Sequence, residues 1–492
     1  MTPSATLPIA EVKPRGSMAF ALAVSAAFVA LLTFNLCAPT PRGPADNGDF
    51  FRVSAAFSPG PVGLEPFPGP GDPSYRARFF RHFLRHWKVG PVRGRAQETS
   101  ALLVYAPGRL LPLTGPPGTF DLTLNAFYVA VLLGVVLFLS LRRLESGTAR
   151  LSLAVIALLL GDANLAIYLS SFYQEAGAYV FTLVLVCVMH LLWERRGLVD
   201  LVLFTLAAVA LAATKFPFTP SVLVVGSTIL VAWAIAAAGD RLRQVAALTA
   251  MAALIASGIF YFERVRDRFG QDVSYNFLFS GVLPELAPED REPFLSGLGI
   301  PPGHAALSGR SYYEPESRGR SPSLHAALGN AMHTRAIRRL ATDHPSAFLH
   351  LVDSAFARTG IYDVEVGSKL GTLEMGRERA APLVDVWSRV RARFLRGEAA
   401  YLVVAALWVV LLAHVAWSGA RDLRLFYGAA AAGCWAGSVG QVLIAILGNG
   451  PMDLSKHLWF GNVLLDLSLV MAAFGIGVAV QSSWTGTVAR SG

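Results

Sequence analysis

Ten apolar runs dominate this chain, and they leave it few ways to fold. They lie near 18–38, 124–141, 151–169, 176–193, 198–213, 219–238, 244–262, 399–417, 424–447 and 458–480. Most have the length, about 17 to 25 residues, that a helix needs to cross a hydrocarbon layer roughly 30 Å thick. Lipid cannot satisfy exposed backbone N–H and C=O groups, so runs of this kind fold as helices that pack together. With 54% hydrophobic and 15% charged residues, and a mean hydropathy of +0.49, a soluble domain is excluded. The expected fold is an all-α polytopic membrane protein, a bundle of about ten transmembrane helices. The fifth run, 198–213, is short and predicts a tilted span or an earlier start.

Orientation follows from the basic residues beside the spans, because Lys and Arg in short loops stay on the cytoplasmic side. With the N-terminus inside, the inner segments carry Lys13, Arg15, Arg142, Arg143, Arg150, Arg195, Arg196, Arg241, Arg243, Arg421, Arg424 and Arg490. The short outer loops hold Lys215 and Lys456. This predicts cytoplasmic tails at 1–17 and 481–492 and a seven-span membrane domain over 18–262 that contains an outer loop at 39–123. A second outer segment over 263–398 and a three-span domain over 399–480 complete the chain. The first run could instead be a signal peptide, but Met18 to Leu36 exceeds the roughly 7 to 15 apolar residues of such a segment. Cys37, Cys187 and Cys434 are far apart in apolar segments, so no disulfide framework or thiolate metal site is implied. The net charge of +9 fits topology and phosphate handling, and the sequence contains no nucleic-acid module.

The chemistry-bearing residues crowd the outer side. After Pro39, Pro41, Gly43 and Pro44 stop the first span, Asp46-Asn47-Gly48-Asp49 precedes Phe50-Phe51. A sugar transferred to an alcohol needs a base for the acceptor proton, usually a carboxylate, and Asp49 is the candidate. Asp46 would orient it or, with Asp49, hold a divalent cation such as Mg or Mn, since hard cations favour oxygen ligands. A solvated Asn-Gly turn capped by Asp explains the same residues. Residues 75–88 show a helical pattern, with Phe79, Phe80, Phe83, Leu84 and Trp87 on one face and Arg78, Arg81, His82, Arg85 and Lys88 on the other. Such a helix lies in the interface, as an anchor or with Arg78, Arg81 and Arg85 on a lipid phosphate.

Between spans three and four stands Ser171-Phe172-Tyr173-Gln174-Glu175, preceded by Asp162 and Asn164 inside the third span. Lys215, past the fifth span, is a partner for Asp162 or Glu175, in an ion pair or in catalysis. Lys456 and His457 start the tenth helix, where backbone N–H groups favour anions, and suit a departing phosphate. Asn462 and Asp466 follow within that span, Asp466 as interhelical glue. The 263–398 segment is amphipathic and turn-rich, with Tyr275 to Pro284 and Ser311-Tyr312-Tyr313 as its aromatic stretches. No GxSxG, HExxH, P-loop or Rossmann fingerprint occurs, so a donor reached from the membrane is more natural than a nucleotide.

This layout resembles the GT-C superfamily of polytopic glycosyltransferases, which carry an acidic motif in the first outer loop and draw sugars from polyprenyl-phosphate carriers. Asn47 to Phe50, Ser171 to Glu175, Tyr275 to Pro284 and Lys456-His457-Leu458 are similar, in that order, to bacterial hexose transferases of surface-glycan assembly, the WsfD type. The pattern departs where Gln174 precedes Glu175 in place of Gly, and where Lys215-Phe216-Pro217 replaces a Lys-Pro pair. The resemblance implies a bacterial inner-membrane enzyme with a polyprenyl-phosphate sugar donor, a glycan or lipid acceptor and lipid contacts. It implies inversion at the sugar, with Asp49 as base, Asp46 and Glu175 in support, and Lys456, His457 and Lys215 on the leaving phosphate. A transporter or flippase of lipid-linked glycans would also have many spans, but more naturally with internal repeats and midplane charges. A noncatalytic envelope-assembly protein is the third reading.

Overall fold

The structure, a computed structural model, describes residues 16–37, 43–44, 49–56, 58, 85–90, 99–110, 118–265, 271–312, 314, 322–360, 384–419, 422–452 and 454–491. Eight helices are long and apolar enough to cross a membrane: Met18–Cys37, Leu122–Arg143, Gln174–Arg195, Phe216–Ala236, Arg241–Val265, Gly397–Ser418, Leu423–Asn449 and Leu454–Ser482. The third run is not one straight helix. Gly147–Leu160 and Ala163–Ser170 meet at 71°, because Asp162 turns its carboxylate onto the N–H of Asn164 and starts a new helix there.

The short fifth run, Leu198–Ala212, still joins the two ends of the bundle. At one end Arg196 reaches the Ala236 carbonyl. At the other, Thr99 donates to the carbonyls of Ala213 (3.1 Å) and Thr214 (2.5 Å). With the bent pair taken as one span, the described residues hold up to nine helices long and apolar enough to cross a membrane, against the ten expected, and Leu198–Ala212 is a shorter apolar helix beside them; the chain is an all-α polytopic membrane protein.

The crossings sort their connections into two ends. At one end Glu194 accepts from the N–H groups of Glu145 and Ser146, and Arg424 donates to Ser482. At the other, residue 49 meets 456, residue 175 meets 215, and Asn276 donates to Asn449 at 3.1 Å. We call the latter the site end.

Two features differ from the sequence expectation. The C-terminal part of the expected interfacial helix is a strand, with His86–Lys88 pairing antiparallel with Thr119–Asp121. Asp121 both caps the second span, through the N–H groups of Thr123 and Leu124, and accepts from Arg85, so the ribbon is tied to a span start. Residues 75–84 lie outside the described residues. Second, the 263–398 segment contains a π-helical stretch, Asn276–Val282, buried on the last loop. There Gly450, at φ +61°, sits so close that a Cβ would meet the Asn276 carbonyl at 3.0 Å.

Candidate functional site

Local packing sets Asp49. Phe51–Ser54 forms a single helical turn whose first bond runs from the Arg52 N–H to the Asp49 carbonyl at 3.0 Å. Phe50 is fully buried and is held edge-on by Phe172 (5.9 Å) and Tyr173 (4.7 Å), with Trp87 tilted at 5.9 Å. The same Phe172 meets Trp87, Tyr105 and Phe120, and the Tyr105 hydroxyl donates to the carbonyls of Ser171 (2.7 Å) and Tyr173 (3.2 Å). This aromatic cluster joins the segment between the first and second spans to the loop between the third and fourth spans. It leaves the carboxylate of Asp49, 22% exposed, at the edge of the packed core.

Two cations face that carboxylate. Lys456, 407 positions away in the chain, donates from Nζ to Asp49 Oδ2, and Arg52 Nη2 stands 3.1 Å from Oδ1. Lys456 is otherwise buried, with its ammonium 4.5 Å from the centre of the Tyr173 ring, a contact that favours a desolvated cation. Beside this pair, Lys215 Nζ donates to Glu175 Oε1 at 2.5 Å, and both side chains are almost wholly buried. Burial alone would push the Asp49 carboxyl up, but Arg52, Lys456 and Lys215 outweigh it and hold the group well below the usual carboxylate range. Burial pushes the Lys215 ammonium down, with Glu175 acting against it and Lys456 with it.

His457 is half-buried on the same helix start; its Nε2 lies 3.5 Å from the Asn449 amide nitrogen, and its carbonyl accepts from Gln441. Asn449 in turn accepts from Asn276, whose own side-chain oxygen accepts from the Tyr312 N–H at 2.8 Å. The 263–398 segment is thereby bonded to Asn449, just before the helix that carries Lys456.

The structure brings together Asp49, Glu175, Lys215, Lys456 and His457. Of the two partners open to Lys215, it takes Glu175; Asp162 is instead held by Ser388, through Oγ at 2.5 Å and the N–H at 3.0 Å. Arg85 is engaged by Asp121, at 2.6 Å from Nη2 and 2.8 Å from Nε. Asp46, Arg78 and Arg81 lie outside the described residues. Asp466 is glue, as expected, bonded to Arg391 and to the Trp387 indole at 2.8 Å. Sequence reasoning missed Arg52 and Tyr173. Arg52 had a signal, the i,i+3 spacing from Asp49; Tyr173 had none, since a ring beneath a lysine is a tertiary event.

Among the described residues no three or more His, Cys, Asp or Glu converge as metal ligands, and each oxygen of Asp49 faces a cationic side chain. That environment suits an ion-paired carboxylate rather than a cation ligand. Among the described residues, Lys456, Arg52 and Lys215 bring three cationic side chains together beside Asp49 and Glu175, a setting that suits an anion.

A family model described as the YfdI N-terminal transmembrane domain matches residues 11–486. No curated protein and no solved structure matches the chain.

Proposed function

On the premise that the chain belongs to the YfdI N-terminal transmembrane domain family over nearly its whole length, we propose that it is a membrane glycosyltransferase of GT-C type. It moves a hexose from a polyprenyl-phosphate donor to a glycan or lipid-linked acceptor at the extracytoplasmic face of a bacterial inner membrane. The WsfD-type hexose transferases are the narrower likeness behind the choice of donor. The observation that carries the proposal is the meeting of Asp49 with Lys456 across 407 positions, beside the cations Arg52 and Lys215.

The chemistry follows from these groups. An Asp49 oxygen takes the proton of an acceptor hydroxyl as that oxygen attacks the anomeric carbon. The bond from that carbon to the phosphate oxygen breaks on the opposite face, so the sugar inverts and the phosphate leaves with the electron pair. Lys456, Arg52 and Lys215 offset the charge that develops on the phosphate. Without substrate, Asp49 is a weak base because two cations hold it. An anionic donor competes for Lys456 and Arg52, and in sharing them it raises the proton affinity of Asp49 as the sugar arrives. Glu175 acts through Lys215, by fixing that ammonium, and is a positioning residue.

A flippase would use intramembrane acids along its path, but Asp162 and Asp466 are committed to Ser388 and Arg391. Membranes holding the wild type or Asp49→Asn, supplied with a panel of polyprenyl-phosphate hexoses, test the reading. Transfer by the wild type that collapses in the variant, at equal protein level, is expected. Absence of transfer in both, with lipid-linked glycan still changing sides, would replace the enzyme by the transporter.

A further inference from the structure

Helix Val386–Phe394 is amphipathic in the opposite sense to a helix in water. Its protein-facing side is polar. Ser388 is bonded to Asp162 at the bend of the third run, and Arg391, 1% exposed, is paired with Asp466 of the tenth span. Trp387 donates to the same carboxylate at 2.8 Å. Just before the helix, Val384 exchanges hydrogen bonds with the Asn35 amide of the first span and accepts from the Ala163 N–H at 3.0 Å. Three separate spans thus anchor one short helix through polar groups.

The outward side is apolar. Val386 is 66% exposed, Val390 38% and Phe394 70%, and their i, i+4, i+8 spacing makes them one stripe. Arg389, Arg393 and Arg396 flank it, all exposed. After two residues the chain enters the Gly397–Ser418 span, whose Leu402 and Val403 are also outward and exposed. The stripe therefore continues a lipid-facing surface. Depth agrees: Asp466 follows Lys456 by ten residues on one helix, so the docked helix lies roughly 15 Å from Lys456 toward the bilayer, at 1.5 Å per residue.

We propose that residues 384–396, which the sequence places in an outer loop, form a re-entrant element in the bilayer surface, closing the flank between the first, third and tenth spans. Val386, Val390 and Phe394 meet acyl chains, while Arg389, Arg393 and Arg396 extend to headgroup phosphates of the same leaflet. The buried carboxylates Asp162 and Asp466 are its docking points. This inference stands apart from the transferase reading.

Spin labels test it in the full-length protein, reconstituted into phosphatidylethanolamine–phosphatidylglycerol vesicles. In a Cys37→Ala background, whose other two cysteines are buried, single labels go at Val390→Cys and Phe394→Cys. Val403→Cys serves as the lipid-facing reference and Arg335→Cys, in an exposed outer helix, as the aqueous one. The ratio of oxygen to nickel-chelate collisions at 390 and 394 is expected to match residue 403 and exceed residue 335. A ratio like that of residue 335 would put the stripe in water and overturn the proposal. Immobile labels reached by neither reagent would overturn it in favour of a protein cover, such as residues 361–383. All four positions are exposed, so the labels do not load the core.

Discussion

In the proposed reaction Asp49 meets two demands that pull against each other, since a base must accept a proton and this carboxylate is held by cations that resist one. The sign of the pH effect is fixed by that. Its folded value lies below the ordinary one of about 4, so ionisation stabilises the fold above that pH, and the contribution fades as pH falls toward the folded value. The free enzyme's kcat/KM should therefore show no acid limb from Asp49 between about pH 5 and 9. Lys456→Met removes one of the opposing charges. Its kcat/KM should fall by about 10²–10³, the usual loss for one electrostatic donor, and an acid limb should emerge at higher pH than in the wild type. A variant profile of unchanged shape would disconnect Lys456 from the base. The Glu175–Lys215 pair answers to a different measurement, thermal unfolding in detergent. Glu175→Gln or Lys215→Met alone leaves a buried charge and should destabilise by about 3–5 kcal/mol. The double variant should recover most of that stability. If it recovers activity as well, the pair is a brace; recovered stability without activity would assign Lys215 to the phosphate.

At the scale of elements, the first turn of the fourth span depends on close contact with the short helix at Ser100–Tyr105. A Cβ on Gly177 would sit 2.8 Å from both the Cα and Cβ of Ala101 and 3.1 Å from Thr214 Cγ2. Gly177→Ala should therefore cost about 1–3 kcal/mol by overpacking and, by tilting the turn that bears Glu175, lower transfer at equal expression. Normal transfer with normal stability would show that the backbone there has room to yield. The elements were unequally legible in the sequence. Apolar runs announce spans because lipid leaves the backbone no other solution, and every run became helical, the third as a pair bent at Asp162. The break at Asp162 carried a signal, Gly-Asp-Ala-Asn, that apolarity outweighed. The 86–88 strand could not be read, because its reason is distant: Trp87 fills a hole beside Phe172, and Asp121 fixes Arg85. Of the site, Asp49, Glu175, Lys215 and Lys456 were visible as polar residues near span ends. The sequence offered Glu175 as one of two partners for Lys215, but not the pairing of Asp49 with Lys456, since charges at span ends look alike until the helices are arranged.

Across the whole molecule, the successive apolar runs are linked alternately at the two ends of the bundle, with four short connections at the end opposite the site, and this gives the inferred orientation a structural form. The end opposite the site gathers Arg142, Arg143, Arg150, Arg195, Arg196, Arg241, Arg243 and Arg424, around connections such as 144–146 and 237–240. The short connections of the site end offer Lys215 and Lys456, and both are engaged by carboxylates. A positive end retained inside would place Asp49 outside, the side on which the proposed lipid-linked donor is used. Reporter fusions should then be active as cytoplasmic fluorescent protein after residue 492 or within 144–146, and as alkaline phosphatase within 315–320, in the outer segment. Replacing Arg142, Arg143, Arg195 and Arg196 together by Gln should reduce the asymmetry and yield a mixed population, because the bias rests on few loop charges. A single orientation with phosphatase active at 144–146 would invert the protein. The site would then face the cytosol, and the case for a polyprenyl-phosphate donor would have to give way to a donor made on that side.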